Sequence, residues 1–295
     1  MKPEMLSISA SVKWHEKGDP LIMSTTSKTA NTVAPLHSSA RRRWKRWTPN
    51  WRGMAAILAF FVIWTLLAAA NIGGFATIPT PWGVLSVFAS EYFADPAYWE
   101  SWGASFRRIL TGFFIAQLIG IPLGLFLALR PIFHGLVFPI IELLRPVPPL
   151  AWVPLAILFW PTTEIAIIFI IFIDAFMIIV INTYDGVRHV KREHILLAES
   201  MGANRFQIFH RIIVPSVIPS IAVGMALGLT VTWNVVIAAE MIASDTGLGR
   251  LTWEGYVSQT PAVVIIGMVS IGMAGYLSIL VLNAVEKWMM PWKRS

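Results

Sequence analysis

The chain has no cysteine among its 295 residues. That excludes disulfides, thiolate metal sites and cysteine nucleophiles. It is also poor in charge: only 13% of residues are Asp, Glu, Lys or Arg, against roughly 25% in soluble domains. So few charges cannot cover the surface of a soluble protein of this size, whereas lipid-facing helices need no such cover. Catalytic signatures are absent too. There is no G-x-x-x-x-G-K-[ST] phosphate loop and no H-E-x-x-H zinc pair. The histidines, at positions 15, 37, 134, 189, 194 and 210, fall outside the apolar runs and read as titrating surface residues. No Ser/His/Asp set can be assembled at membrane depth. No catalytic residue, resident cofactor or metal ligand is therefore assigned, and the chain reads as a non-enzyme.

Apolar residues, by contrast, make up 56% of the chain, with 17 Phe and 14 Trp, and the mean hydropathy is +0.65. A membrane-crossing helix needs about 20 mainly apolar residues. Six stretches qualify, at 54–73, 106–129, 135–159, 163–183, 217–241 and 262–285. The expected fold is an all-α integral membrane bundle of six transmembrane helices. The third stretch holds Pro146, Pro148, Pro149 and Pro154. A break at membrane depth survives only against protein or a water-filled cavity, so Arg145 to Trp152 is expected to pack inside the bundle.

The formal charge of +7 reads as basic loops on one side rather than as a nucleic-acid site. Cations gather in the N-terminal cluster Arg41, Arg42, Arg43, Lys45, Arg46 and Arg52. They recur at Arg188, Lys191, Arg192, Arg205 and Arg211 between the fourth and fifth spans, and at Lys287, Lys293 and Arg294 near the end. The positive-inside rule then makes both termini cytoplasmic. Residues 1–53 read as a polar, largely disordered cytoplasmic segment, with Met23 as an alternative start. The first membrane helix occupies 54–74, the core 75–290 and a cytoplasmic tail 291–295. A signal-peptide reading of the basic cluster and Ala68-Ala69-Ala70 is the alternative to a retained first helix. Trp47, Trp51, Trp82, Trp99, Trp102, Trp160, Trp253, Trp288 and Trp292 anchor the predicted interfaces.

Gly120 and Gly124 are four apart, as are Gly224 and Gly228, and Gly267, Gly272 and Gly275 follow in the last span. Such spacing lets backbones approach closely in lipid. It predicts packing within the chain, with a subunit interface as the alternative. Arg145 can pair with Glu142 along the third span. Asp174 stands in the apolar run 165–181. A charge there must face the interior. Either it lines a pathway or gate, or it is a structural carboxyl bonded to Thr230, Thr232 or Asn234. Glu240 reads as a structural hydrogen-bonding group, with a direct pathway role as the alternative.

The loop 184–216 is too long for a turn. Leu196, Leu197, Ser200 and Met201 recur at helical spacing until Gly202; a second amphipathic piece follows with Phe206 and Phe209 on one side, ending at Pro215. Helix, glycine, helix, proline makes an elbow that can dock into a soluble partner's groove.

The run Ala198, Gly202, Ile212, Val214, Pro215 resembles the cytoplasmic loop of bacterial ABC importer permeases, and more narrowly the nitrate/sulfonate/taurine/bicarbonate permease family. Gly120-Ile121-Pro122-Leu123-Gly124, Arg145 to Pro154, Met201-Gly202-Ala203-Asn204-Arg205, Ala239-Glu240-Met241 and Gly247-Leu248-Gly249 carry the likeness over about residues 75–290. There are departures. Leu196 and Leu197 replace the family's Glu and Ala, Trp160-Pro161-Thr162-Thr163-Glu164 replaces Trp-Phe-Gly-x-Gly-Glu, and Asp174 and Met177 stand where a small residue and Pro are usual.

The resemblance implies a type I importer bundle in the inner membrane of a bacterium. A second permease copy, a cytoplasmic ABC ATPase dimer that carries the ATP and Mg, and a periplasmic or lipid-anchored solute-binding protein complete it. Leu196, Leu197, Ala198, Glu199, Met201, Gly202, Ala203, Arg205 and Pro215 would couple to the ATPase. Asp174, Asn234, Glu240 and Trp152 are candidates for the translocation pathway. The solute would be a small sulfonate-, taurine- or nitrate-like or related organic compound. An ion-coupled secondary transporter is the alternative. It would need coupling-ion carboxylates and usually an inverted repeat, and only Asp174 offers itself.

Overall fold

The structure, a computed structural model, describes residues 51–70 and 77–290. The expectations for residues 1–50 and the tail 291–295, including Trp47 and Trp292, lie outside the described residues. Every regular element described is helical.

Five helices are long and apolar enough to cross a membrane. They are α1 (Trp51–Ala69), α3 (Pro96–Leu129), α6 (Thr163–Arg188), the continuous rod Arg205–Ala243 that ends in α9 (Val214–Ala243), and α11 (Pro261–Met289). The sixth span is the pair Pro131–Leu144 and Pro149–Phe159, bent by 91°. Its first limb is α4 (Pro131–Leu144); a single 3₁₀ turn, Pro149–Trp152, leads into α5 (Val153–Phe159). The bend falls where Pro146, Pro148 and Pro149 remove backbone donors.

Two short helices in the expected loops had no long apolar run to announce them. They are α2 (Pro81–Val87), extended by a π turn to Tyr92, and α10 (Leu248–Val257). The second span also begins ten residues earlier than its apolar run, at Pro96 rather than 106. Asp95 caps the Ala97 amide and Pro96 takes the first helical position. At 34 residues α3 is about 51 Å long, well beyond the roughly 30 Å hydrocarbon core. Its first turns carry Tyr98, Trp99, Trp102 and Phe106.

The bundle is built on α6. Along α3, Gly112, Ala116, Gly120 and Gly124 form a small-residue stripe, and the glycines meet Ile171, Ile179 and Thr183 of α6 in ascending order, so the two helices run parallel. A Cβ on Gly120 would lie 2.8 Å from Ile179 Cγ2, and one on Gly124 2.8 Å from the Val180 carbonyl oxygen. The α6–α9 contact is antiparallel, with Gly186 against Ser220 and Gly224 against Asn182. The glycine spacing of these helices thus serves packing within the chain. In α11, Gly267 lies against Thr252 and Gly275 against Trp233, but Gly272 has nothing near it and takes no part. Ile109, Ile167, Ile170, Ile171 and Val236 fill the central core. Of α1 only Ala68 is buried.

Two local expectations are corrected. Arg145 to Trp152 is not packed inside the single-chain bundle; most of it is exposed, and Val153 and Ala156 are the positions there that seat in the core. Pro215 does not end the elbow. A π turn, Phe209–Ile213, precedes it, and the Val214 amide reaches back to Phe209 O. The wider turn makes room for the ring, so the rod continues through Pro215.

Candidate functional site: an exposed elbow, a cavity and a buried clasp

The elbow is held by two adjoining caps. Helix α7 (Arg192–Ser200) closes with Gly202 at φ +81°, the Ala203 amide donating to Ala198 O (3.0 Å) and the Gly202 amide to Glu199 O (2.9 Å). This is a Schellman closure, which wants glycine at the left-handed position. Helix α8 (Arg205–Ile208) opens with a capping box: Asn204 Oδ1 accepts from the Gln207 amide (2.8 Å) and Gln207 Oε1 from the Asn204 amide (2.9 Å). One residue, Ala203, separates the caps, so the angle between α7 and α8 is set by hydrogen bonds.

On the inner side, Ile195, Ala198, Ala203, Ile208 and Phe209 pack with Val187, Val217 and Ile221. On the outer side Leu196 (50%), Leu197 (63%), Met201 (80%) and Phe206 (74%) stay exposed. Phe206 and Phe209 therefore face different ways, contrary to their expected shared side. Glu199 and Arg205 are exposed beside the apolar patch. A groove of about 630 Å³ between α7 and the start of α9 is lined by His194, Leu197, Ala198, Met201, Arg211 and Pro215, among others.

A second cavity, of about 400 Å³, opens between the broken span, α6 and α9. Asp174, Met177 and Asn182 line it from α6, Leu227 and Val231 from α9, and Arg145 and Trp152 from the bend. Asp174 is 6% exposed and no hydrogen bond reaches it among the described residues; its Oδ2 is sealed without a partner. The expected bonds to Thr230, Thr232 and Asn234 do not form. Thr230 bonds its own helix at Ala226 O, and Thr232 Oγ1 is buried and itself unpartnered. Asn234 is exposed and outside the cavity, although it shares a helix face with Leu227 and Val231. Arg145 does not pair with Glu142, both being exposed.

Glu240 has a different setting from Asp174. It is fully buried and outside that cavity. Its carboxylate accepts from Ser105 Oγ (2.8 and 2.9 Å), Arg108 Nη1 (2.7 Å) and the Gly249 amide (2.9 Å). Arg108 also donates to Thr246 O (2.7 Å) and, through Nε and Nη2, to Glu164. Ser105 Oγ in turn accepts from the Leu248 amide (2.9 Å). This clasp ties α3, α6, α9 and the start of α10 together. Gly247 (φ +126°) comes so close that a Cβ would stand 2.6 Å from Glu240 Oε1, which explains glycine in Gly247-Leu248-Gly249. Glu240 is thus fully hydrogen-bonded within the bundle and does not line that cavity. Ser105, Arg108 and Glu164 were not picked out from sequence as its partners, although an arginine next to an apolar run demands a partner. Away from the clasp, His134 is no plain surface residue: it bonds Tyr184 Oη (2.8 Å) and stacks on Phe138.

Five continuous apolar helices, one broken span and an exposed helical elbow define a multi-pass membrane protein. Residues 120–295 match the family described as binding-protein-dependent transport system inner membrane component. The taurine transport system permease protein TauC of Escherichia coli (strain K12) is 32% identical over 87% of this chain and 95% of its own length. The bicarbonate transport system permease protein CmpB of Synechococcus elongatus is 29% identical over 84% and 92%. In fold, the chain is similar to a chain of the MetNI methionine ABC transporter in an inward-facing conformation, with a TM-score of 0.52 over 65% of this chain and 99% of that one, at 18% identity. The chain belongs to the binding-protein-dependent transport system inner membrane component family. It is a permease subunit of an ABC importer with the type I fold, which sets aside the ion-coupled secondary transporter.

Proposed function

We propose that the chain forms one half of the translocation path of an ATP-driven importer for a small organic solute, and that the elbow transmits the motion of a cytoplasmic ATPase dimer to it. The observation that carries the reading is the apolar patch Leu196, Leu197, Met201 and Phe206 held outside the bundle on a doubly capped turn. An exposed patch on a rigid element fits an ATPase groove, and a rigid element passes on displacement instead of absorbing it. Ala198, Gly202, Ala203 and Pro215 fix its shape, and Glu199 and Arg205 flank it.

The exposed bend at 145–149 supports a second permease copy, since irregular backbone at membrane depth needs protein or water against it. The Arg and Lys of the elbow and the N-terminal cluster support a bacterial inner-membrane orientation with both termini cytoplasmic. A periplasmic or lipid-anchored binding protein would deliver the solute. The relatives' names suggest one of taurine or bicarbonate size, and Asp174 and Trp152 would meet it in the cavity.

The test is capture of the tagged full chain in mild detergent, with copurifying proteins identified and ATPase activity assayed. Recovery of an ATPase that is lost in the Leu197→Asp, Met201→Asp double variant is expected. A chain that stays alone and moves solute in ATP-free liposomes under an ion gradient overturns the reading.

A further inference from the structure

The α6 cavity says more about the solute than its size. Its walls are mainly apolar and its polar groups are few. Asp174 offers a carboxyl whose oxygens take no bond among the described residues. Two turns further along the same face, Asn182 gives one Nδ2 hydrogen to Ile178 O (2.8 Å), which leaves its amide oxygen as an acceptor and its second N–H as a donor. Asp174 therefore asks for a donor, and the Asn182 oxygen can take a second one. Arg145, exposed and without an ion pair among the described residues, is the one cation among the lining residues, and it sits on the opposite wall. A buried carboxyl left unsatisfied is costly. The clasp at Glu240 demonstrates that this chain can satisfy such a group completely when its role is structural.

We propose that this cavity selects solutes that lead with a positively charged or N–H-bearing nitrogen group, received by Asp174 and Asn182, with any acceptor or anionic tail directed to Arg145. Amine-bearing or zwitterionic organic compounds fit that pattern. A bare inorganic anion does not, because Asp174 would repel it and it brings no donor for that carboxyl. The inference rests on the cavity being part of the solute path.

The native absence of cysteine supplies the test. Met177→Cys places a single thiol one helical turn from Asp174 on α6, and Leu227→Cys places one on the facing wall, beside Gly228, which packs against Ala175. Each full-length variant, in lipid nanodiscs, is reacted with 2-aminoethyl or 2-sulfonatoethyl methanethiosulfonate, and rates are normalised to those with a free thiol in solution. The aminoethyl reagent is expected to react faster than the sulfonatoethyl one by about tenfold. That ratio should fall toward one when Asp174→Asn is added. Labelling of either thiol with no charge preference, or with a preference that survives Asp174→Asn, overturns the selectivity and leaves the permeation reading standing. Failure of both thiols to react overturns the permeation role of the cavity itself. Two independent thiol positions keep the result from hanging on one variant that folds poorly.

Discussion

Two carboxylates are buried in the apolar helices of this bundle among the described residues, and they are treated oppositely. Glu240, on α9, is sealed among Arg108, Ser105 and the Gly249 amide, with glycines shaped to its outline. Asp174, on α6, is nearly as buried, has no bonding partner among the described residues and borders a cavity. The first arrangement offsets the cost of burial with charge-assisted hydrogen bonds and so joins four elements. The second leaves that cost standing. Hydropathy treats the two positions alike; what separates them is whether the rest of the fold arrives to satisfy the group.

That contrast can be broken most severely at the clasp. Glu240→Ala removes one of the two carboxylates that hold the buried Arg108, together with the acceptor of Ser105 and the Gly249 amide, and should destabilise the protein by about 3–5 kcal/mol, read as thermal unfolding in detergent. Glu240→Met combined with Arg108→Met should recover a large part of the loss, and a double variant no better than the single would mean the ion pair is not the source. Next in size is the α3–α6 seam. Gly112→Leu forces a side chain toward the Ile168 carbonyl, where a bare Cβ is already at 2.9 Å, at a cost of about 1–3 kcal/mol or more. Gly103→Leu, in open space, is the control, and equal melting of the two variants would refute the seam.

Gly202→Val comes third. No atom lies near the added Cβ, but φ is +81°, so the strain is about 1–2 kcal/mol and local. ATPase capture should drop much more than stability does; unchanged capture argues against the elbow as the coupling element. The smallest effect on folding belongs to Asp174→Asn, which removes an unpartnered charge. Stability should hold or rise by up to about 1 kcal/mol, while the preference between amine and sulfonate reagents disappears. A large loss of stability would make Asp174 a second Glu240 and remove the contrast.

Much of the fold was legible along the chain. Apolar runs marked the spans, Pro146 to Pro149 marked the bend, and Gly202 marked the turn of the elbow, because each acts through its own backbone or its nearest neighbours. Asp174 stood out as a charge in a pure apolar run. Helix α10 was not visible, since ten residues with Arg250 and Glu254 on one face carry no membrane-length signal. The exposure of Arg145 to Trp152 is not legible in the sequence, because a proline-rich break tells that a cover is needed but not which chain supplies it.

Composition and local pattern by themselves determined that this is a helical membrane protein with an amphipathic elbow and no phosphate loop in its sequence; these properties follow from solvent preference and short-range backbone geometry. Only the tertiary structure decided that Glu240 is a clasp and Asp174 is open. Ser105 and Arg108 lie 135 and 132 residues from Glu240, and a partner that distant is chosen by how whole helices pack, which no local pattern encodes.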